Sequence, residues 1–269
     1  MQLGLIIIGD EILSGKRADK HLHKAIELCG ARGLQVAYAN YVGDDPQRIT
    51  ETLAVAFRSG DVVFSFGGIG ATPDDHTRQC AAAALGVALE PHPLAAELVR
   101  ERMRDVAREA GHPFEPDRAD NVHRLNMAVF PVGARIIPNP YNKIAGFSCC
   151  GRHGGAVHFV PGFPVMAWPM VEWVLDTHYR DAFQAGQRVE QSIIVFGSME
   201  ATLTPLMERI EAQFPVKVFS LPSVDHPQYG RHIELGVKGN KDAVAPAFDA
   251  LREGLHQEGV ALGPEMVRN

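Results

Sequence analysis

The 269-residue chain lacks a long apolar run and carries fewer positive than negative charges. Its first apolar stretch, Leu3 to Ile8, is far shorter than the roughly 20 residues of a membrane-spanning helix. With 26 Lys and Arg against 32 Asp and Glu, the net charge is −6, whereas a general nucleic-acid binder presents a basic surface. The chain does not open with a charged segment and an apolar signal core. We therefore expect a cytoplasmic protein that neither spans a membrane nor binds nucleic acid generally.

Cysteine is also scarce, and its spacing supports no metal or redox motif. The four cysteines are Cys29, Cys80, Cys149 and Cys150, and none of them forms a C-x-x-C pair. We expect all four to be reduced structural thiols, as is usual in cytosolic proteins. If Cys149 and Cys150 lie on a strand, their side chains point to opposite faces.

Residues 1–180 alternate between apolar runs and segments of helical spacing. The runs at 4–9, 34–42 and 61–66 predict strands, and an alanine-rich segment predicts a helix over Asp74–Leu85. Such alternation is typical of an α/β domain with a mainly parallel sheet. We therefore predict one α/β domain over residues 1–180.

The pattern changes near the end of this region. Residues 181–190 predict a linker. Residues 191–269 then follow a strand–helix–strand–strand–helix order. This order predicts a small α+β second domain, with two helices covering one face of a sheet.

The most informative stretch is residues 62–77, where a buried strand leads through a glycine turn to two carboxylates. Asp74 and Asp75 would repel a bare phosphate, and a divalent cation between them would resolve that conflict. Alternatively, this is a tight strand–helix connection in which Asp74 caps the helix and Asp75 faces its dipole. The glycines that would expose backbone N–H groups to a phosphate are Gly67, Gly68 and Gly70.

A second loop of the same kind follows the first predicted strand and consists of Gly9, Asp10 and Glu11. Because ligands of parallel sheets bind at the carboxyl ends of the strands, we expect both loops to lie at one edge. One of the two carboxylates would then bind the metal or orient a water. The alternative is a solvated loop that caps the next helix.

Three further polar side chains are candidates for ligand binding. The Thr72 hydroxyl would reach a ligand oxygen or a metal-bound water. Asn139 and Lys143 lie in a polar turn where the lysine would pair with a phosphate, although a solvated turn is an equal alternative. The segment Pro161–Pro164 either walls a pocket or joins a strand to a helix. Spacing supports no catalytic triad, P-loop, G-x-G-x-x-G motif or G-x-S-x-G elbow.

Four segments in matching order give the chain a family resemblance. The chain resembles the molybdopterin-binding (MoaB/Mog-like) superfamily, and within it most closely the N-terminal domain of the CinA-type competence/damage-inducible proteins. The resemblance covers about residues 3–170. The segments that carry it are Gly9–Gly15, Val42–Asp45, Gly67–Thr77, and Pro138–Pro140 followed by Pro161–Pro164.

The resemblance implies a three-layer domain, a homo-oligomer (a dimer or trimer), and a site for a divalent metal, which we expect to be Mg²⁺. Molybdopterin is then a further possible ligand. The implied metal ligands are Asp74, Asp75 and Asp10. The implied catalytic residues are Asp10, Glu11, Asp74 and Asp75. The implied ligand- and phosphate-binding residues are Gly9, Gly67, Gly68, Gly70 and Thr72, to which the polar turn adds Asn139 and Lys143.

Some residues depart from the family pattern. Phe66 stands where a threonine is usual, and Ala71 where a proline is usual. Residues 16–21 replace a usual Asn-Thr-Asn pattern, and Tyr141 begins a bulkier turn. These changes place bulk and charge near the expected pocket.

Three functions follow as hypotheses. The first is metal-dependent hydrolysis of a nucleotide pyrophosphate such as ADP-ribose, which the resemblance to CinA-type proteins implies. The second is molybdopterin binding or adenylyl transfer in molybdenum cofactor biosynthesis. The third is a non-catalytic ligand-binding module, in which the departures from the family pattern have removed the chemistry.

Overall fold

The computed structural model describes residues 2–183 and 188–268. The chain divides into two compact units, Met1–Phe183 and Gln184–Asn269. In the stretch predicted as a linker, a short 3₁₀ helix covers Arg180–Ala182 and a strand begins at Arg188; residues 184–187 lie outside the described residues. No helix of the described residues is long and apolar enough to cross a membrane.

The first unit alternates strands and helices over most of its length. Its strands are β1 (Leu3–Ile8), β2 (Val36–Val42), β3 (Val62–Phe66), β4 (Leu89–Pro91), β5 (Val129–Pro131), β6 (Arg135–Ile137), β7 (Gly146–Cys150) and β8 (Ala156–Val160). Its helices are α1 (Asp10–Leu13), α2 (His21–Gly30), α3 (Pro46–Ser59), α4 (Thr77–Leu85), α5 (Pro93–Glu109), α6 (Ala119–Arg124) and α7 (Pro164–His178).

A six-stranded sheet of order β2-β1-β3-β8-β7-β6 forms the centre of this unit. Strands β2, β1, β3 and β8 pair in parallel, whereas β7 and β6 pair antiparallel. Strand β1 is buried throughout: Ile6 and Ile8 pack with residues of α3, α4 and α5, and Leu5 and Ile7 with residues of α2 and α7. Helices therefore cover both faces, which confirms the predicted three-layer α/β class.

The second unit consists of β9 (Arg188–Phe196), α8 (Glu200–Gln213), β10 (Val216–His226), β11 (Gly230–Asn240), α9 (Lys241–Gln257) and β12 (Ala261–Arg268). Its antiparallel sheet has the order β10-β11-β9-β12. Inward residues such as Ile193 and Leu235 pack with Leu206 and Leu251 from the two helices. This arrangement confirms the predicted α+β class and adds β12, which the sequence pattern did not indicate.

Helix α4 begins later than predicted. It starts at Thr77, with His76 as its N-cap residue, so Asp74 is not a helix cap. The N–H of Asp75 binds the carbonyl of Thr72 at 3.0 Å instead, which closes a local turn. Such a turn competes with helix formation and keeps both carboxylates in the loop. On β7, Cys149 is buried and Cys150 exposed, as predicted for neighbours on a strand.

Candidate functional site

Loops that follow the parallel strands β1, β3 and β8 surround one cavity of about 440 Å³. The N–H of Gly9 binds the carbonyl of Val42, and the N–H of Gly67 binds that of Val160, each at 3.0 Å. These bonds join the loops at a single edge of the sheet. Of the predicted site residues, those that line the cavity are Gly9, Glu11, Gly67, Gly68, Gly70, Thr72, Asp74, Asp75 and Asn139.

The glycine turn needs glycine at two of its positions. Gly67 has φ 96° and Gly68 has φ 68°, in the left-handed region that other residues seldom adopt. A Cβ atom at Gly67 would lie 2.5 Å from the carbonyl oxygen of Ile8, and one at Gly68 would lie 2.1 Å from Thr77 Oγ1. The turn therefore packs too closely on β1 and α4 to admit side chains.

Side chains behind the turn bind its carbonyl oxygens in succession. Thr77 donates from Oγ1 to the Gly67 carbonyl at 3.1 Å and from its N–H to the Gly68 carbonyl at 3.0 Å. The buried Arg78 donates to the Gly70 carbonyl at 2.7 Å. His123 donates from Nε2 to the Ala71 carbonyl at 2.6 Å. None of these supporting residues was among the site residues predicted from the sequence.

These bonds fix the direction of the backbone N–H groups in the turn. In a trans peptide the carbonyl of one residue and the N–H of the next point in opposite directions, and no described peptide bond is cis. The N–H groups opposite the anchored carbonyls therefore point away from Thr77 and Arg78. No acceptor among residues 2–183 and 188–268 binds the N–H of Gly68, Ile69 or Ala71.

The carboxylates of the site are held in different ways. Asp75 Oδ2 accepts hydrogen bonds from the N–H of Thr72 at 2.8 Å and from its hydroxyl at 2.6 Å, so Asp75 and Thr72 brace the loop. Asp10 and Asp44 each accept a bond from the other's N–H, at 3.2 and 2.9 Å. The Glu11 carboxylate has no hydrogen-bond partner within the described part of the chain.

Asp44 was not among the predicted site residues, but its pKa reflects the charges around the cavity. Partial burial raises its pKa, and the neighbouring charges of Asp10, Glu11 and Asp74 raise it further. The cavity thus gathers several carboxylates, and none of those that line it forms an ion pair within the described residues.

The described residues contain no group of three or more His, Cys, Asp or Glu side chains arranged around a metal position. The implied set Asp10, Asp74 and Asp75 is therefore not assembled as a preformed cage. Mg²⁺ is usually held by one or two carboxylates together with substrate phosphates. The cavity offers such carboxylates in Glu11 and Asp74, so the donor set suits a cation that arrives with a phosphorylated ligand.

The cation beside the cavity differs from the predicted one. Lys143 does not line the cavity, because its ammonium pairs with Asp105 at 2.8 Å and with Glu101 at 3.2 Å. Arg17 does line it, and within the described ranges its guanidinium has no ion-pair partner. The flexible side chain of Lys143 reaches carboxylates on α5, and sequence spacing does not show that proximity.

The remaining wall comes from two loops. The Asn139 side chain is buried and bonds within its own turn, donating to Asn142 Oδ1 at 2.8 Å and to the Ile144 carbonyl at 2.9 Å. Asn139 therefore shapes the wall rather than offering its amide group. The carbonyl of Gly162 accepts a bond from His21 Nε2 at 3.0 Å. Segment 161–163 lines the cavity and also joins β8 to α7, so it fits both of its interpretations.

His21 itself is buried and stacks on Phe66, with ring centroids 4.5 Å apart. Burial lowers the pKa of His21, which favours a neutral ring. Both residues are departures from the family pattern, and they contact each other. The two changed residues therefore pack on each other next to the cavity wall.

Comparisons with known proteins agree with the fold of the first unit. The family model described as a probable molybdopterin binding domain matches residues 4–180. A CinA-like protein of Anaeromyxobacter dehalogenans is 35% identical over 177 residues, 65% of this chain and 40% of the relative. A CinA-like protein of Citrifermentans bemidjiense is 33% identical over 210 residues, 77% of this chain and 47% of the relative. The chain thus spans less than half the length of these curated relatives.

A solved structure supports the same fold. A CinA protein of unknown function from Thermoplasma acidophilum matches with a TM-score of 0.54 at 27% identity, covering 65% of this chain and 96% of its own. The family resemblance predicted from the sequence segments is therefore confirmed.

Proposed function

This chain belongs to the family of probable molybdopterin binding domains, and from that premise we propose that its strand-end cavity hydrolyses a nucleotide pyrophosphate such as ADP-ribose. The observation that carries the proposal is the row of backbone N–H groups at Gly68, Ile69 and Ala71, which have no acceptor within the described residues. Such a row is the usual donor set for a phosphate. It lies beside the carboxylates of Glu11 and Asp74 in one cavity.

In this proposal the glycine turn binds one phosphate, and Arg17 pairs with the other. Asp74 would hold a divalent cation together with the phosphate oxygens of the ligand. A bound cation of this kind offsets phosphate charge and lowers the pKa of an attacking water. Glu11, whose carboxylate has no partner in the described chain, accepts the proton of that water.

The reaction is a hydrolysis without redox change. The water oxygen forms a bond to one phosphorus, and the bond from that phosphorus to the bridging oxygen breaks. The bridging oxygen leaves with the second phosphate, and the water proton passes to Glu11 and then to solvent. ADP-ribose would give AMP and ribose 5-phosphate.

The test is ADP-ribose hydrolysis by the wild-type protein, with Mg²⁺ and with a chelator, beside Asp74→Asn and Glu11→Gln. We expect chelation to abolish turnover and each variant to lower kcat at least about 100-fold, as loss of a group acting in the transition state commonly does. Asp249→Asn, at an exposed pair with Arg252 in the second unit, is the matched control and should keep wild-type activity. Wild-type turnover by Asp74→Asn would refute the assignment.

The family description itself favours a second candidate, the binding of molybdopterin or adenylyl transfer to it. The same turn and carboxylates would then hold a pterin phosphate. Incubation with ATP, Mg²⁺ and molybdopterin separates the two reactions, because only adenylyl transfer forms an adenylylated pterin. Ligand binding without turnover in either assay would instead indicate a non-catalytic module. Size-exclusion chromatography with light scattering tests the implied dimer or trimer.

A further inference from the structure

An aromatic ring lines the cavity without being buried. Phe163 belongs to the cavity wall, yet it is 57% exposed. The residues described by the structure provide no ring or cationic partner for it. A large apolar side chain left in water at the wall of a cavity offers apolar area that a ligand can cover.

The backbone holds Phe163 in a defined place. The preceding carbonyl, that of Gly162, is bonded to the buried His21, and the following residue, Pro164, starts α7. A Cβ atom added to Gly162 would lie 3.5 Å from the Cα of Gly67. The base of the Phe163 side chain is therefore fixed close to the glycine turn that offers its N–H groups.

The neighbouring side chains are arranged around the same end of the cavity. Met166, one turn further along α7, lines the wall together with Asn142. Asn142 donates from Nδ2 to Met166 Sδ at 3.1 Å, so the two are held together. Phe163 and Met166 lie at the start of α7, whereas the carboxylates that line the cavity belong to the loops after β1, β2 and β3.

We infer that the Phe163 ring is the stacking platform for the planar heterocycle of the ligand, a nucleobase in the reaction proposed above. The inference rests on the proposed phosphate site, since the phosphate on the glycine turn brings the base within reach of the ring. Stacking on an aromatic side chain is tolerant of base identity. Phe163 therefore selects ligands that carry a flat heterocycle over sugar phosphates that do not.

The experiment compares equilibrium binding of AMP and of ribose 5-phosphate, in the presence of Mg²⁺, by calorimetry. The ratio of the two affinities isolates the base from the phosphate. Phe163→Leu keeps apolar bulk but removes the aromatic face, and Phe163→Trp keeps a face. Tyr141→Ala is the matched control, because Tyr141 is 62% exposed in a neighbouring turn but does not line the cavity.

We expect Phe163→Leu to reduce the AMP to ribose 5-phosphate affinity ratio by roughly 5- to 100-fold, the range that loss of base stacking gives. Phe163→Trp and Tyr141→Ala should keep the ratio. An unchanged ratio in Phe163→Leu, or equal binding of both ligands by the wild-type protein, overturns the platform. A pterin phosphate tested in parallel identifies the preferred heterocycle.

The two proposals fail in distinguishable ways. A reduced ratio with no ADP-ribose hydrolysis by the wild-type protein supports the platform and removes the hydrolase. Hydrolysis that needs Asp74, together with an unchanged ratio, removes the platform and leaves the hydrolase. Binding of neither AMP nor ribose 5-phosphate overturns the platform and the phosphate site together.

Discussion

Each unit contains a cluster of acidic residues, one around Glu234 in the second unit and one around Asp44 in the first. The two clusters differ in how the surrounding protein compensates their charges. In the second unit, Glu234 accepts hydrogen bonds from Arg268 and from Ser192, and the arginine is the main cause of its lowered pKa. At the cavity of the first unit, partial burial raises the pKa of Asp44, and the carboxylates that it faces raise this pKa further. Acidic side chains therefore stabilise the second unit through an ion pair, whereas in the first unit they repel one another.

This difference separates a structural cluster from a candidate binding site. A carboxylate paired with an arginine gains from being ionised in the folded state. Carboxylates that face one another without an ion-pair partner are stabilised in their charged form only when a ligand or cation arrives. Perturbed groups of this kind concentrate at functional sites. The comparison predicts that substitutions in the two clusters have opposite effects on stability.

The largest effect on stability should come from the side chain that supports the glycine turn. Arg78→Met keeps the apolar stem but removes the bonds to the carbonyls of Gly70 and Asn126. We expect the free energy of unfolding to fall by about 3 kcal/mol, because each of the two bonds joins the charged, buried Arg78 to a carbonyl. Urea denaturation followed by circular dichroism measures this loss.

A surface arginine provides the control for that substitution. Arg118 pairs with Asp120 while remaining half exposed, and exposed pairs contribute little. Arg118→Met should therefore change the free energy of unfolding by less than about 1 kcal/mol. Equal losses in the two variants would show that Arg78 does not support the turn.

The fold and the centre of the site were largely accessible to sequence reasoning. The apolar run of β1 and the glycines at 67 and 68 follow from local rules, since a buried parallel strand needs apolar residues on both faces and a left-handed turn needs glycine. The contacts of Arg78 and Lys143 were not accessible in this way. Arg78 binds the carbonyl of Asn126, which lies 48 residues away, and no local pattern encodes such a partner.

The start of α4 shows a second limit. Asp74 and Asp75 have the composition of a helix N-terminus, yet Asp75 bonds to Thr72 and the helix begins at Thr77. Side chains of this type bond either to a helix end or to a nearby turn. The choice here depends on Arg78 and His123, which hold the loop from behind.

The cluster around Glu234 predicts a smaller effect on stability, and this effect depends on pH. Glu234→Gln should lower the free energy of unfolding at pH 7 by about 1 kcal/mol, an amount limited by solvent screening. The folded pKa of Glu234 lies below its ordinary value of 4.5, so its contribution is present above pH 4.5 and is lost as the pH falls through the folded pKa. Denaturation at pH 7 and pH 3 measures the change, and a loss that is equal at both values would contradict the pairing.

The smallest effect has the opposite sign and tests the comparison most sharply. Asp44→Asn keeps an acceptor for the N–H of Asp10 but removes a charge that faces Asp10, Glu11 and Asp74. We expect the free energy of unfolding at pH 7 to rise by less than about 1 kcal/mol after screening by solvent. The folded pKa of Asp44 lies above 3.8, because of burial and of the neighbouring carboxylates. The destabilisation by its charge is therefore absent below pH 3.8 and grows as the pH rises through the folded pKa.

The same Asp44→Asn substitution should have the opposite effect on ligand binding. If the repulsion prepares the cavity for a cation and a phosphate, Asp44→Asn should weaken Mg²⁺-dependent binding of AMP while it stabilises the free protein. Thermal unfolding with and without Mg²⁺ and AMP measures both quantities, since a ligand that prefers the folded state raises its stability. Two outcomes would contradict this: an Asp44→Asn variant that is less stable than the wild-type protein at pH 7, or one that keeps the full ligand-induced shift. Either outcome would make Asp44 a structural carboxylate like Glu234 and remove the distinction between the two clusters.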